Sequence, residues 1–181
     1  PFFSPKGGIT PHNRFGVNSS KAEVLFIDYI NEHLKPSGRA GIIVPEGIIF
    51  QNGNAYKQLR KRLLETSIIG VISLPAGVFQ PYSGVKTSVL ILDKEKGKKD
   101  KNFYYFDVKN DGFTLNTNRS PIDNNDLPEI VNSFKNNFKK NDKIKFFQTK
   151  KDEILKTDNF SFNIKSLFKD ELKSNFELKE L

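Results

Sequence analysis

The segment from Ser83 to Ser88 is the part of the sequence closest to a known ligand-binding motif. It reads Ser-Gly-Val-Lys-Thr-Ser, which resembles in part the loop that cradles nucleotide phosphates. That loop needs a Gly directly before its Lys and a helix after it, whereas here Val85 intervenes and a strand is predicted to follow. The sequence therefore predicts no nucleotide-phosphate loop. It also contains no glycine-rich dinucleotide fingerprint and no nucleophile elbow.

Cysteine and histidine offer little further chemistry. The chain has no Cys, which excludes a disulfide scaffold, a thiol nucleophile and a cysteine-ligated zinc site. The two His residues are His12, in a polar loop, and His33, in a stretch with helical periodicity. A surface role is the simpler interpretation for both, so we assign no metal site.

The composition is that of a basic chain that folds around a core. A length of 181 residues with 17 Phe fits one domain of ordinary size. The formal net charge of +8 suits nucleic acid, because basic side chains release counterions from phosphates. Alternatively, many lysines are a solvated surface, since those of residues 93–101 alternate with acidic residues. The sequence shows no transmembrane stretch and no secretory signal, so we expect a cytoplasmic protein.

Hydrophobic periodicity predicts a helix followed by a short buried strand. Ser20 begins a capping-box pattern, and apolar residues then recur at helical spacing until Pro36. Residues 41–44 form an uninterrupted, largely β-branched run. Such a run is typical of a strand that is buried on both faces of a largely parallel sheet.

A second helix and three more strands are predicted further along the chain. Asn54 can cap this helix, and its buried stripe would consist of Tyr56, Leu59, Leu63 and Leu64. The basic residues of the same helix are predicted to point outward, namely Lys57, Arg60, Lys61 and Arg62. Residues 68–74, 86–92 and 103–106 are strand-like, and the first two of these are adjacent and possibly antiparallel. This order indicates an α/β sheet with helices packed on it.

The sheet pattern becomes weaker after residue 108. The charged residues 93–101 suggest an exposed turn, and a later helix starts at Asp126 with Ile130, Phe134 and Phe138 on one face. A terminal helix is predicted over residues 166–181. We therefore divide the chain into an α/β part, residues 1–108, and a C-terminal extension, residues 109–181, which we expect to be mostly helical.

Several consecutive blocks resemble the methylase subunits of type I restriction-modification systems, which are adenine-N6 DNA methyltransferases. The blocks are 19–26 (SSKAEVLF), 34–47 (LKPSGRAGIIVPEG), 74–88 (LPAGVFQPYSGVKTS), 110–112 (NDG) and 125–130 (NDLPEI). The resemblance extends over nearly the whole chain, and its specificity lies in the order and spacing of the blocks. It implies a partial Rossmann-like methyltransferase fold, with residues 1–108 as the C-terminal half of the methyltransferase domain.

The resemblance also implies a catalytic motif at the start of the chain. In this family the motif is Asn or Asp, Pro, Pro, then Phe or Tyr, and Pro1-Phe2 matches its last two positions. A flipped adenine needs acceptors for the hydrogens of its exocyclic nitrogen, which the first two motif residues supply. Phe2 would stack on the base. Because the two acceptor residues are missing, we expect the chain as given to be inactive.

Other site residues follow from the same resemblance. Phe79 lies in the loop where the family places a second aromatic ring against the flipped base. Its position after a strand agrees with the rule that ligands of open α/β sheets bind beyond the carboxyl ends of strands. The loops expected on this rim also contain candidate DNA contacts, which are Lys6, Arg14, Lys86 and Thr87.

The cofactor and the partners are implied by the family alone. S-adenosylmethionine is the expected methyl donor, but its glycine-rich turn and acidic residue do not occur in this sequence. The chain contains no Met and begins at Pro1, so we expect further residues to precede it. Expected partners are DNA, a specificity subunit and a restriction subunit. The strand at 42–44 would also lack its partner strand, so we expect self-association or dependence on a partner.

Two other interpretations of the sequence remain open. The first is a non-catalytic nucleic-acid-binding or assembly module, which explains the charge and the Phe content by stacking on single strands. Against it, the aromatic residues do not follow one strand face at a period of two. The second keeps the chemistry but makes the parent a single-chain restriction and modification enzyme.

Overall fold

The computed structural model describes residues 10–138 and 144–165. Its helices are α1 (Ala22–His33), α2 (Gly47–Phe50), α3 (Asn54–Thr66), α4 (Lys94–Lys99), α5 (Leu127–Lys135) and α6 (Lys151–Leu155). Its strands are β1 (Arg39–Pro45), β2 (Ile68–Ser73), β3 (Thr87–Asp93), β4 (Asn102–Asp107), β5 (Asp111–Phe113), β6 (Pro121–Asn125) and β7 (Lys145–Lys150). Pro1, Phe2, Lys6 and the predicted terminal helix, residues 166–181, lie outside the described residues.

Five of the strands form one mixed sheet in the order β1-β3-β2-β4-β7. Within it β2 and β4 are parallel, whereas the other three neighbouring pairs are antiparallel. The antiparallel β2–β3 pair follows from the chain, because a loop without a crossover helix joins these strands. The prediction of a largely parallel sheet is therefore wrong for the described strands.

Strand β1 lies at one edge of this sheet. It pairs with β3 in register from Arg39 opposite Asp93 to Pro45 opposite Thr87. Only Val44 is fully buried, and the side chain of Ile43 is 44% exposed. The predicted strand at 41–44 is thus confirmed, but its burial on both faces is not, because the face that carries Ile43 is exposed. No described strand covers its outer edge.

The two faces of the sheet carry separate hydrophobic clusters. The first joins β2, β3 and β4 to α1, α3 and α6, with Leu59, Leu63 and Leu90 fully buried. The second lies on the other face and packs Ile69 and Phe106 against Ile130 of α5. Helices thus cover both faces of the sheet, which agrees with the predicted α/β class.

The C-terminal region is part of the same core rather than a separate helical layer. Strand β7 pairs with β4, and Phe162 and Ile164 are fully buried in the first cluster. Between residues 109 and 165, the described chain forms three strands and two short helices. A mostly helical extension is therefore not confirmed for the described residues.

The starts of three helices differ from what the sequence predicts. Helix α1 begins one residue after Lys21, which makes no side-chain cap, so the predicted Ser20 cap is wrong although the helix is confirmed. The predicted exposed turn at 93–101 contains α4, because the Asp93 carboxylate accepts hydrogen bonds from the amides of Glu95 and Lys96. Asp126 precedes α5, but its carboxylate accepts instead from the amides of Lys109 and Asn110.

Candidate functional site

Polar residues collect where the strands end on one side of the main sheet. Ser73 and Asp107 are the last residues of the parallel strands β2 and β4 and lie opposite each other in register. Ser88, near the start of the antiparallel β3, faces Ser73. Glu46 follows β1, and Lys86 precedes β3. We call these five residues the rim.

An ion pair joins three strand ends at the rim. The Lys86 ammonium lies 2.6 Å from Oε1 of Glu46 and donates a further hydrogen bond of 3.1 Å to Oγ of Ser73. The second carboxylate oxygen of Glu46 accepts a 3.0 Å hydrogen bond from the Ser88 hydroxyl. The Glu46 side chain is 16% exposed and that of Lys86 is 40% exposed. The pair is therefore fixed at both partners.

A second charged cluster lies next to it on β4. Asp107 is almost fully buried, and its two carboxylate oxygens lie 2.7 Å from Nζ of Lys165 and 3.2 Å from Nζ of Lys109. Burial alone would raise the pKa of Asp107, but hydrogen bonds and charges from Lys165 and Lys109 outweigh it and lower the pKa. Burial of the phenol raises the pKa of the neighbouring Tyr105. The Asp107 carboxylate thus holds two lysines beside the rim.

The loop of residues 74–86, which we call the β2–β3 loop, contains Phe79. Its two ends meet where the Leu74 amide donates to the Thr87 carbonyl at 3.1 Å. Gly77 has a φ of 91°, and a Cβ atom there would lie 2.6 Å from the carbonyl oxygen of Leu115. Any side chain at this position would push the loop off the segment that supports it.

The aromatic residues of this loop have very different environments. Phe79 is half-buried and packs against the second hydrophobic cluster. Tyr82, three residues later, is 94% exposed. The loop therefore holds one ring against the core and presents the other to solvent.

The structure brings together only some of the residues predicted for the site. Phe79, Lys86 and Thr87 lie in one loop and the strand that follows it. Thr87 is 2% exposed, and its hydroxyl has no hydrogen-bond partner within residues 10–138 and 144–165. Pro1, Phe2 and Lys6 lie outside the described residues, so the structure tests none of them.

Arg14 lies at the opposite end of α1 from the rim. Its guanidinium donates to Nε2 of His33 at 3.0 Å and lies over the ring of Tyr29. His33 in turn donates from Nδ1 to the Tyr29 carbonyl, which leaves Nε2 as the acceptor for Arg14. A short connection joins the last turn of α1 to the start of β1 at Arg39, whereas Glu46 follows the other end of β1. Arg14 is therefore not part of the rim.

Several rim residues were missed by the sequence analysis. Ser73 and Asp107 are the polar residues that end two apolar strands, and this was a signal that could have identified them. The exposed ring of Tyr82 was not singled out either. No signal pointed to Lys165, because it lies 58 residues after Asp107 and reaches it only through the fold.

Comparison with known proteins assigns the chain to a family. The family model described as N-6 DNA Methylase matches residues 9–175. The chain belongs to the N-6 DNA methylase family. A similar relative is the methylase subunit of the type I restriction enzyme EcoEI from Escherichia coli, 39% identical over 82 residues, which are 44% of this chain and 16% of the relative. The EcoKI methylase subunit from Escherichia coli strain K12 is 31% identical over 94 residues, covering 52% of this chain and 18% of the relative.

A solved structure extends this similarity to the fold. The methyltransferase subunit of a type I restriction-modification system from Streptococcus thermophilus matches with a TM-score of 0.67 and 30% identity. The match covers 83% of this chain and 31% of that one. The central sheet is thus that of an N-6 DNA methylase, and the chain spans less than a third of the solved relative.

The part of the N-6 DNA methylase described here does not fit a site for S-adenosylmethionine. The carboxylates of Glu46 and Asp107 are already bound by lysines, and no glycine-rich turn with a free acidic residue lies beside them. Residues 10–138 and 144–165 also contain no group of three or more potential metal ligands. No helix in these ranges is long and apolar enough to cross a membrane. We therefore assign neither a cofactor site nor a metal site to them.

Proposed function

We propose that this chain is part of a DNA methyltransferase of a type I restriction-modification system, which methylates the N6 atom of adenine. The observation that carries the proposal is the family match over residues 9–175. The relatives' names supply the type I assignment. S-adenosylmethionine would supply the methyl group. The chain's own residues would bind and orient the flipped base.

Phe2 and Phe79 are the residues that we propose for binding the target adenine. The ring of Phe79 sits in the loop that leaves the carboxyl end of β2, where ligands of α/β sheets bind. Packing against the hydrophobic cluster restrains this ring, so it can serve as a fixed surface for the base. Pro1 and Phe2 would complete the site from the catalytic motif.

DNA is the partner that the net charge of +8 favours. Lys109 and Lys165 place two ammonium groups around the rim, where a DNA backbone would pass. Lys6 and Arg14 stay proposed phosphate contacts, with Arg14 outside the rim. The buried hydroxyl of Thr87 fits a phosphate contact less well than the sequence suggested.

The chain would supply the target-base side of the active site, and other residues of the complete protein would supply the cofactor side. We propose that residues 1–108 are the C-terminal half of the methyltransferase domain. Residues 109–181 would complete its sheet and contact DNA or another subunit. On this basis the isolated chain is inactive. The complete protein would act in the cytoplasm with a specificity subunit and a restriction subunit.

The family match disfavours the interpretation as a non-catalytic binding module. The sheet also differs from a stacking platform, because the rings of β4, such as Phe103 and Tyr105, are buried in the core. A single-chain restriction and modification enzyme would share the same rim. We prefer the type I assignment because the similar relatives are separate methylase subunits.

Transfer of a labelled methyl group tests this proposal. The complete protein, with its specificity subunit, is incubated with labelled S-adenosylmethionine and unmethylated genomic DNA. We expect label in N6-methyladenine, and a large loss with Phe2→Ala because the stacking ring is removed. The control is Phe113→Ala, which removes an exposed ring of the small β5–β6 sheet. If a known methylase labels the same DNA and this protein does not, the proposal is wrong.

A further inference from the structure

The two ends of the β2–β3 loop are connected by side chains as well as by the backbone. Ser73 is the last residue before the loop, and Lys86 is its final residue. The ammonium of Lys86 donates to the hydroxyl of Ser73, so one hydrogen bond spans the base of the whole loop. Phe79 lies between Ser73 and Lys86 in the chain, so its position depends on how strongly these two anchor residues are restrained.

Glu46 holds these anchors in place from a third strand. Its carboxylate binds Lys86 with one oxygen and Ser88 with the other, and its amide donates to the Lys86 carbonyl at 3.1 Å. Three contacts therefore join Glu46 to two residues of the same short segment. This arrangement restrains the conformation of the Lys86 side chain and directs its ammonium toward Glu46 and Ser73.

This geometry conflicts with a phosphate contact by Lys86. Two of its three ammonium protons are directed at Glu46 and Ser73, both of which lie inside the rim. Turning outward to a phosphate would leave the largely buried Glu46 carboxylate without its cation. Lys109 has a more exposed side chain, and its partner Asp107 also binds Lys165, so Lys109 can turn toward DNA without leaving that carboxylate unpaired.

We propose that Glu46 and Lys86 form one positioning unit, which fixes the β2–β3 loop so that Phe79 meets the target base. This inference rests on the proposed function and names two further residues for it. Lys86 acts through the loop rather than on the DNA backbone. A displacement of about 1 Å at a reacting site lowers the rate by roughly 100-fold, so a loose loop would reduce kcat strongly.

Variants of the complete protein show whether Lys86 positions the β2–β3 loop or contacts a DNA phosphate. The set comprises Lys86→Met, Glu46→Gln, the double variant and Lys99→Met. The last of these is the matched control, since Lys99 forms an exposed ion pair with Glu95 in α4, away from the loop. We expect Lys86→Met and Glu46→Gln each to lower kcat by about 10-fold to 100-fold. The double variant should be no worse than the poorer single one, because both remove the same interaction.

DNA affinity tests the alternative, in which Lys86 contacts a phosphate. If Lys86 contacts a phosphate, the slope of log K against log salt should be smaller in magnitude for Lys86→Met, by about 0.9. Such a contact would also give Glu46→Gln tighter DNA binding, because Lys86 would be released from its carboxylate partner. We expect neither change. Either result, with kcat near that of the Lys99→Met control, overturns the proposal.

Hydrogen-deuterium exchange tests the positioning role without relying on catalysis. In Lys86→Met and Glu46→Gln we expect faster exchange in residues 74–86, with α3 and β4 unchanged. Exchange that rises equally in all three segments would show a general structural role and contradict the proposal. If exchange changes as expected but the wild type transfers no methyl group, the loop is positioned as proposed and the assigned function is wrong.

Discussion

Arg60 shows how a single residue joins distant parts of this chain. It is fully buried in α3, and its guanidinium donates to the carbonyl oxygens of Ile48, Gln51, Asn159 and Phe160. Burial lowers the pKa of Arg60 to about 10. These contacts fix the end of α2 and the C-terminal segment against the same helix. Arg60 is thus a structural residue and not a surface contact for DNA.

Replacing Arg60 should destabilise the fold strongly. In Arg60→Met the buried carbonyl groups lose their donors, and we expect the free energy of unfolding to fall by roughly 3 kcal/mol or more. The control is Lys61→Met, which removes the neighbouring exposed charge. Urea denaturation of both variants measures the difference. Equal stability of the two variants would mean that the guanidinium is replaceable and would contradict this account.

The buried position of Arg60 agrees with the apolar periodicity of α3. At 3.6 residues per turn, position 60 lies between Tyr56 and Leu64 on the helical wheel, inside the predicted buried stripe. The prediction that Arg60 points outward is therefore wrong, because carbonyl groups inside the fold bind its guanidinium. Two of the four carbonyl partners could not be predicted, because Asn159 and Phe160 lie about a hundred residues further along the chain.

Helix α6 is attached to α4 by another buried cation. Lys151 is 4% exposed, and its ammonium donates to the Gly97 carbonyl at 2.6 Å. Burial lowers the pKa of Lys151 to about 8 from its ordinary value of 10.5. The hydrogen bond to Gly97 therefore holds the Lys151 ammonium in a buried position, where desolvation disfavours the charged form.

The lowered pKa of Lys151 predicts how stability varies at alkaline pH. Between about pH 8 and 10.5 the unfolded chain binds more protons than the folded one, so the contribution of Lys151 to stability rises with pH. The difference between the two pKa values corresponds to roughly 3 kcal/mol. Compared with Lys151→Met, the wild type should gain stability across this range in denaturation experiments. A constant difference between the two proteins would contradict the prediction.

The elements were predicted better than their arrangement. Periodicity located α1, α3, β2 and β4 because each has its own apolar pattern. The neighbours of a strand depend on the whole chain, so the placement of β3 between β1 and β2 was not predicted. Strand β7 was not predicted because its sequence, KFFQTK, shows no regular alternation of apolar and polar residues.

At the scale of the whole molecule, the outer edge of β1 remains uncovered in the described structure. Ile43 on this strand and Phe26 and Tyr29 on the adjacent α1 are all exposed apolar side chains. An unprotected edge beside apolar surface favours association with another strand. In the complete protein, we propose that the rest of the methyltransferase sheet covers it.

The isolated chain should therefore associate with itself or depend on a partner. We expect dimers or larger species in light scattering, and a shift toward monomer with Ile43→Lys, because a charge on an edge strand opposes pairing. The matched control is Val131→Lys, which changes an equally exposed apolar residue on α5. A monomeric wild-type chain at high concentration would show that the edge is protected and would contradict the prediction.

The family of the whole molecule could be predicted from its sequence blocks, but not from its composition. The order of the sequence blocks pointed to the methylase family, whereas charge and Phe content left a binding module open. The partners of the rim could not all be predicted, because Lys165, which binds Asp107, comes from a segment without a recognisable pattern.

The most direct test of the central claim is the amount of N6-methyladenine formed by the complete protein with its specificity subunit when Phe79 is varied. We expect Phe79→Ala to lose most of the activity and Phe79→Tyr to retain it, because Tyr keeps an aromatic face for the base. The product is measured by mass spectrometry of digested DNA, and Phe79→Tyr shows whether a side chain with an aromatic face is sufficient at this position. Equal N6-methyladenine from the wild type and Phe79→Ala would contradict the proposed target-base site.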